Sequence, residues 1–105
     1  MAIEFTDENF ESEVISSEIP VLVDFWGEGC GPCVAMTPVL EELAKEYKET
    51  IKIGKVDVYA NPNVASKYAI RSIPSFLFFK DGEVQETVIG ARPKDYMKEK
   101  LDAVL

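Results

Sequence analysis

The sequence contains no histidine, only two cysteines, and 11 basic residues against 19 acidic ones. Without histidine, the chain cannot use a Ser-His-Asp or Cys-His catalytic arrangement or an imidazole-based metal site. Its net charge of −8 argues against a nucleic acid or an anionic membrane as the main partner, because binding phosphates requires a basic surface. No apolar run approaches the roughly 20 residues that a membrane-spanning helix needs. These absences direct attention to the two cysteines.

The length and composition are those of one small folded domain, which we predict over residues 1–105. A chain of this size can bury about two thirds of its unfolded surface around a single core. Residues Met1–Glu8 show neither the basic region nor the apolar core of a signal peptide, so we expect a cytoplasmic protein. In that reducing compartment, two cysteines close together more often serve redox or metal chemistry than structure.

The hydrophobic pattern alternates between strands and helices and closes with two strands and a helix. It predicts strands at residues 3–5, 21–26, 51–58, 75–80 and 83–89, and helices at 7–16, 32–48, 61–68 and from 93 onward. Thr6 is the predicted cap of the first helix, and Asp81-Gly82 is the predicted turn of a hairpin. Together these elements predict an α/β fold with a central mixed five-stranded sheet flanked by four helices.

The two cysteines, Cys30 and Cys33, enclose Gly31-Pro32 and lie between the predicted strand 21–26 and the longest predicted helix. We expect Cys30 at the amino terminus of that helix, where unpaired amides and the positive end of the helix dipole favour a thiolate. Cys33 then projects from the same face of the first turn and is within reach of a disulfide. Position and spacing together favour a redox-active pair.

Two other interpretations of the cysteine pair stay open from the residues alone. The pair could be half of a metal site, but it supplies only two of about four ligands, so a dimer would be needed to complete it. It could also be a purely structural disulfide. That bond would close so small a loop that its effect on the unfolded chain would be slight.

Asp24 stands in the middle of a nearly all-apolar strand, so it is buried on whichever face of the sheet it lies. Burial of an isolated carboxylate raises its pKa. We interpret Asp24 as a proton acceptor and donor for the more buried cysteine, and a satisfied structural acid is the alternative. Lys55 shares a strand face with two isoleucines and could lie beside Asp24, the alternative being a surface lysine with its stem along apolar neighbours.

Several segments of the chain, taken with their order and spacing, form a pattern that is far more specific than a lone Cys-x-x-Cys motif. They are Val21–Trp26, Cys30–Cys33, Pro38–Ala44, Lys55–Val58, Tyr68, Ile70–Ser75, Phe79–Glu83 and Gly90-Ala91. In these segments the chain resembles the thioredoxin family over essentially its whole length. The resemblance implies a thioredoxin fold and a protein-disulfide reductase that works by dithiol–disulfide exchange.

The resemblance also implies a role for each reactive residue. Cys30 would be the nucleophile and Cys33 the resolving thiol, while Asp24 would be the buried acid–base group with Lys55 beside it. The redox-active group would be the Cys30–Cys33 disulfide itself, with no bound cofactor and no metal. A separate thioredoxin reductase would donate the electrons, disulfide-containing proteins would be the substrates, and the protein would act as a monomer.

A substrate-docking surface is implied as well. The bond before Pro74 would be cis, and this proline would face the cysteines, while the backbone of Ile73 would pair with an extended substrate segment. Trp26 would pack under the active-site loop. The implied substrate-binding residues are Trp26, Gly29, Gly31, Pro32, Ile73, Pro74, Gly90 and Ala91.

The chain departs from the family pattern at three positions near the cysteines. Gly29 stands where the family usually has a tryptophan, Gly27 where it usually has alanine, and Val34 where a basic residue is common. We expect a more flexible loop and a docking surface without its usual aromatic contribution. We also expect the Cys30 thiolate to depend more on the helix terminus and on a hydrogen bond from Cys33.

Two other functions stay open from the residues. The domain could be a binding module whose thiols are incidental to docking, an interpretation to which the missing aromatic residue at Gly29 lends some weight. It could also be an oxidant or an isomerase. The Gly-Pro dipeptide between the cysteines, which in this family accompanies reductases, and the lack of an export signal favour the reductase.

Overall fold

A computed structural model describes residues 2–105, so that Met1 of the predicted domain lies outside the described residues. Within this range there are five strands: β1 (Ile3–Glu4), β2 (Val21–Trp26), β3 (Lys52–Asp57), β4 (Ser75–Lys80) and β5 (Glu83–Ile89). They form one sheet in the order β1-β3-β2-β4-β5. Strands β1 and β2 run parallel to β3, whereas β4 is antiparallel to both β2 and β5. The predicted mixed five-stranded sheet is confirmed.

Among residues 2–105 there are four helices: a short π-helix (Glu11–Ile15), α1 (Gly31–Glu46), α2 (Pro62–Lys67) and α3 (Lys94–Val104). Their number and order are as predicted. None of them is both long enough and apolar enough to cross a membrane. Thr6 Oγ1 accepts the N–H of Asn9 at 3.1 Å while Asn9 Oδ1 accepts the N–H of Thr6 at 2.7 Å, so the predicted cap closes the turn before the first helix, whose own N-cap is Phe10.

The predicted first helix, 7–16, is too long. Residues 7–9 form a turn, and the regular helix is confined to the π-helix that follows it. Phe10 and Val14 nevertheless point into the core, with 4% and 1% exposure, as their spacing of four residues requires on a helical surface. The first strand is also shorter than predicted, since it ends at Glu4 and Phe5 turns into the core.

The sheet separates two hydrophobic cores because successive residues of a strand point to opposite faces. One face is covered by α1 and α3, and its core includes Leu22, Met36, Leu40, Phe76, Phe78, Met97 and Leu101. The other face is covered by the first helix and α2, and its core includes Phe5, Phe10, Val14, Val23, Phe25, Val64 and Phe79. Strand β2 is buried from both sides and leads directly into the amino terminus of α1, which places the cysteines at the carboxyl end of the central strand.

Candidate active site

The cysteine pair lies where β2 leads into α1. Cys30 caps the amino terminus of α1, and its Sγ accepts a hydrogen bond from the backbone N–H of Cys33 at 3.2 Å. The two sulfurs are joined in a disulfide, with the Cα atoms 5.3 Å apart. Cys33 is only 5% exposed, whereas Cys30 is partly exposed. Cys30 is therefore the sulfur that a partner can reach.

The first turn of α1 surrounds Cys30 with small or apolar groups. Gly31 and Pro32 are exposed, and Pro32 fits a position where its missing N–H leaves no helical bond unmade. Val34, which replaces the basic residue common in the family, is 70% exposed. Within residues 2–105, no three acidic or cysteine side chains are grouped to hold a metal ion. The residue after Cys33 therefore adds no positive charge to the first turn of α1, where the N–H of Cys33 donates to Cys30 Sγ.

Asp24 lies in the middle of β2 and is 3% exposed. It shares a face of the sheet with Leu22, beneath α1. Its Oδ1 has no hydrogen-bond partner within residues 2–105, which argues against a satisfied structural acid. Burial raises the pKa of Asp24 to about 7, and the positive charge of Lys55 partly opposes this rise. The carboxyl can therefore exchange a proton near neutral pH, as a histidine would in another protein.

Lys55 is the partner of Asp24 in the parallel register of β2 and β3. Its Nζ lies 4.9 Å from the centre of the Trp26 ring, which is a cation–π contact. Asp24 and Trp26 are two residues apart on one strand and so lie on the same face of the sheet. The register of β2 and β3 thus brings Lys55 together with both residues, and its side chain is partly exposed.

A cavity of about 240 Å³ opens beside the cysteines. It is lined by Trp26, Gly27, Glu28, Gly29, Cys33, Val34, Thr37 and Lys55. The cavity joins the inner cysteine to the tryptophan and the lysine predicted from the sequence. A Cβ added to Gly29 would meet no atom within 4 Å, so the missing side chain at this position leaves open space.

Gly29 also shapes the backbone of the loop that precedes the cysteines. Its φ of +79° lies in the left-handed region, which glycine adopts freely and which strains residues with a side chain. A tryptophan at this position, as is usual in the family, would be strained in the observed conformation. The glycine therefore changes the loop path that the chain can adopt, as well as removing an aromatic ring.

Ile73 and Pro74 lie at the start of β4, on the other side of β2 from Lys55. The bond between them is cis, as the resemblance implied. The N–H of Gly90 donates to the carbonyl oxygen of Pro74 at 2.8 Å, and the next residue, Ala91, is exposed. Ile73 reaches the loop before the cysteines, because a Cβ on Gly27 would lie 3.1 Å from its Cδ1. The segments around Ile73 and Gly90 are thereby held together beside that loop.

Sequence reasoning missed Tyr59, which follows β3. A Cβ added to Gly27 would lie 2.5 Å from Cε2 of Tyr59, so the ring rests directly on the Gly27 backbone. The same side chain is 70% exposed. The one available signal was Gly27 itself, because a glycine where the family usually has alanine makes room for a neighbouring ring.

Comparison with known proteins agrees with this geometry. The family model described as Thioredoxin matches residues 1–103. Thioredoxin 1 of Synechococcus elongatus is 49% identical over 102 residues, covering 97% of this chain and 95% of the relative. Thioredoxin of Rickettsia felis is 48% identical over 95 residues, or 90% of each chain. Thioredoxin M-type, chloroplastic, of Pisum sativum is 52% identical over 96 residues, covering 91% of this chain and 56% of the relative.

These matches cover nearly the whole chain, and the structure has the close cysteine pair of a disulfide reductase. A disulfide links two cysteines at the start of a helix, and a buried acid lies on the sheet face beneath that helix. The chain belongs to the thioredoxin family and is a disulfide reductase of that family.

Proposed function

We propose that Cys30 attacks disulfides of protein substrates, that Cys33 resolves the resulting mixed disulfide, and that Asp24 accepts the proton of Cys33. The observation that carries this assignment is the difference between the two sulfurs. Cys30 caps α1 at the surface and accepts an N–H hydrogen bond, whereas Cys33 is 5% exposed. An attacking thiolate must reach a large partner, while a resolving thiol has only to reach its neighbour.

In the first step, the Cys30 thiolate attacks one sulfur of the substrate disulfide. A bond forms between Cys30 and that sulfur, the substrate S–S bond breaks, and the other substrate sulfur leaves as a thiolate that takes a proton from water. The N–H of Cys33 and the positive end of α1 stabilise the attacking thiolate. The product is a mixed disulfide between the protein and its substrate.

In the second step, Cys33 loses its proton to Asp24, directly or through water, and its thiolate attacks Sγ of Cys30. The Cys30–Cys33 bond forms, the mixed disulfide breaks, and the second substrate sulfur leaves as a thiolate that takes a proton from water. The substrate has then gained two electrons and two protons, and the protein has the disulfide seen in the structure. A pKa of about 7 suits Asp24 to this task, because a base near the working pH is both available and able to accept a proton.

Lys55 is a positioning residue in this scheme. Its charge lowers the pKa of Asp24 from the value that burial alone would produce, and its contact with the Trp26 ring holds the ammonium group in place. Without that charge, the buried carboxyl would stay protonated at a higher pH and would be a poorer acceptor near neutrality.

Substrate docking is assigned to the surface around Cys30. An extended substrate segment would pair with the backbone of Ile73 next to Pro74, in the manner of an added strand. The exposed or small groups that surround the pair would allow close approach of the partner backbone. The proposed surface consists of Trp26, Gly29, Gly31, Pro32, Ile73, Pro74, Gly90 and Ala91.

The remaining assignments follow from the same chemistry. The two sulfurs can carry both electrons, so we propose that the reaction uses no bound cofactor and no metal. A separate thioredoxin reductase returns the dithiol state, and the protein works as a monomeric single domain, residues 1–105, in the cytoplasm. A reducing compartment suits a dithiol that must be regenerated after each turnover.

Single-cysteine variants test the assigned roles. With insulin as substrate and dithiothreitol as electron donor, we expect Cys30→Ser to lose all reduction above background. We expect Cys33→Ser to accumulate a mixed disulfide with insulin, visible by mass spectrometry and released by excess dithiothreitol. Full multiple-turnover reduction by Cys33→Ser would contradict the two-thiol scheme, and so would an insulin adduct on Cys33 of the Cys30→Ser variant.

A further inference from the structure

Tyr59 combines high exposure with a close contact to the backbone of the cysteine loop. Its side chain is 70% exposed, yet one edge of the ring lies so close to Gly27 that an alanine Cβ there would be 2.5 Å from Cε2 and 3.1 Å from Cδ2. Real side chains do not approach so closely, and the ring can occupy this seat only because residue 27 is glycine. The rest of the ring faces solvent.

The turn that carries Tyr59 is tied down on both sides. Asp57 Oδ1 accepts the N–H of Tyr59 at 3.0 Å and the N–H of Ala60 at 3.4 Å. The N–H of Val58 donates to the carbonyl oxygen of Trp26 at 2.9 Å, which fastens the turn to the end of β2. Binding a partner would therefore order little additional backbone, and a tyrosine ring has few torsions to immobilise.

Tyr59 and Ile73 converge on the same spot. The Cβ position of Gly27 that touches the tyrosine ring also lies 3.1 Å from Cδ1 of Ile73. Gly29, by contrast, contributes no side chain and has open space around it. The apolar surface beside the loop is thus built by an aromatic ring from the turn after β3 and an aliphatic side chain from the segment before β4.

We propose that Tyr59 is a specificity-determining residue that contacts the polypeptide segment flanking the disulfide under attack. This inference rests on the proposed function. An extended segment paired with the Ile73 backbone would lie beside the ring, and an apolar side chain next to the substrate cysteine would cover the exposed ring face. A small soluble disulfide can reach Cys30 without reaching Tyr59. The ring therefore gives the protein a preference for disulfides within polypeptides.

The test compares two substrates in single-turnover reduction by the pre-reduced protein, which needs no reductase. With insulin, Tyr59→Ala should lower the second-order rate constant about tenfold, mostly by weakening substrate binding, because the ring binds substrate and transition state alike. With bis(2-hydroxyethyl) disulfide, the same variant should react at the wild-type rate. Tyr59→Phe keeps the ring and should keep most of the preference for insulin.

Gly27→Ala tests the contact between the Tyr59 ring and the residue 27 backbone without altering the ring itself. The new Cβ would displace Tyr59, so this variant should lose insulin reduction to a similar extent as Tyr59→Ala. The double variant should be no slower than either single variant, because both changes remove one interaction. Tyr96→Ala, which removes a partly exposed tyrosine from α3, is the matched control and should leave both substrates unaffected.

Three results would overturn the proposal. The first is an unchanged second-order rate constant of Tyr59→Ala with insulin. The second is an equal loss with both substrates, since this would show that Tyr59 acts on the cysteines and not on the polypeptide. The third is a wild-type protein that reduces neither substrate, which would overturn the proposed function together with this inference, whereas the first two leave that function intact.

Discussion

The two faces of the central sheet both bury hydrophobic cores, but one of them also buries a carboxyl group. The face under the first helix and α2 is packed with aromatic rings in mutual contact: Phe5, Phe10, Tyr68 and Phe79. The face under α1 and α3 contains Asp24, a carboxyl with an unpartnered oxygen within the described residues. Burying such a group is unfavourable. Among residues 2–105 this buried oxygen without a partner lies beneath the helix that begins with the cysteines, where we propose that it serves the chemistry at the expense of stability.

The two lysines of β3 lie on opposite faces of the sheet and have different surroundings. Lys52 belongs to the aromatic face, where its Nζ donates to the backbone oxygen of Glu13 at 2.8 Å and lies 3.4 Å from the Glu13 carboxylate. Lys55 belongs to the face of Asp24, where it contacts Trp26 and lowers the pKa of the buried acid. The same residue type on one strand thus makes an ordinary ion pair on one face and lowers the pKa of a buried acid on the other.

The largest effect is expected from removing a ring from the aromatic face, which is the face covered by the first helix and α2. Phe10→Ala removes a ring that contacts three others, and it should lower the free energy of unfolding by about 3–5 kcal/mol. Denaturant titration at pH 7 measures this loss. The control Val84→Ala, at an exposed position of β5, should change stability by less than about 1 kcal/mol. The folded fraction of Phe10→Ala should still react with disulfides at the wild-type rate. A slower rate would show that the aromatic face affects the reaction as well as the stability.

A change of opposite sign is expected from Asp24→Asn. In the wild type the folded protein holds the Asp24 proton up to about pH 7, while the unfolded chain releases it near the ordinary aspartate pKa of 3.8. The free energy of unfolding should therefore fall between about pH 4 and pH 7 and level off above, by up to about 4 kcal/mol from this group. Asp24→Asn lacks this fall, so it should be the more stable protein at pH 8 and the slower reductase.

Unfolding of the oxidised protein from pH 4 to 8 measures the stability difference, and release of the second substrate thiol measures the rate. The control Asp81→Asn makes the same chemical change in the exposed β4–β5 hairpin and should leave both quantities close to wild type. Parallel pH profiles for wild type and Asp24→Asn would contradict the buried-acid assignment.

The smallest effect is expected from Lys55→Met. Losing this charge should raise the pKa of Asp24 further, so the fall in stability and the onset of fast resolution should both move to higher pH. The change in free energy should be about 1 kcal/mol or less, since Lys55 is partly exposed. Lys52→Met on the opposite face is the matched control and should not move either pH profile. Equal shifts in both variants would indicate a general charge effect.

Strands β2, β4 and β5 have the ends predicted from the sequence because local signals mark each of them. Apolar runs define β2 and β4, and Asp81-Gly82 marks the hairpin between β4 and β5. The first helix was predicted less well. Its spacing of apolar residues is correct for any helix, but whether the chain forms a turn, an α-helix or a π-helix depends on how Phe10 packs against its neighbours.

The residues of the site also differ in whether local sequence signals could predict them. Cys30, Cys33 and Asp24 could be singled out from spacing and alternation alone, because each lies in or next to one well-marked element. The cis bond before Pro74 came only from the resemblance, since a cis isomer is rare at such bonds and the local sequence carries no sign of it. Tyr59 was not predicted, because its contact with Gly27 joins two loops that are distant in the chain.

By itself, the sequence determined the class of chemistry: without histidine and with one Cys-x-x-Cys pair at the start of a helix, thiol exchange supported by a buried carboxyl was the consistent choice. Only the tertiary structure decided which charge opposes the burial of Asp24 and which ring lies beside the cysteine loop. The reason is physical. Helix starts and strand faces are set by residues a few positions apart, whereas the pKa of Asp24 and the seat of Tyr59 depend on strands and loops that meet only when the sheet has formed.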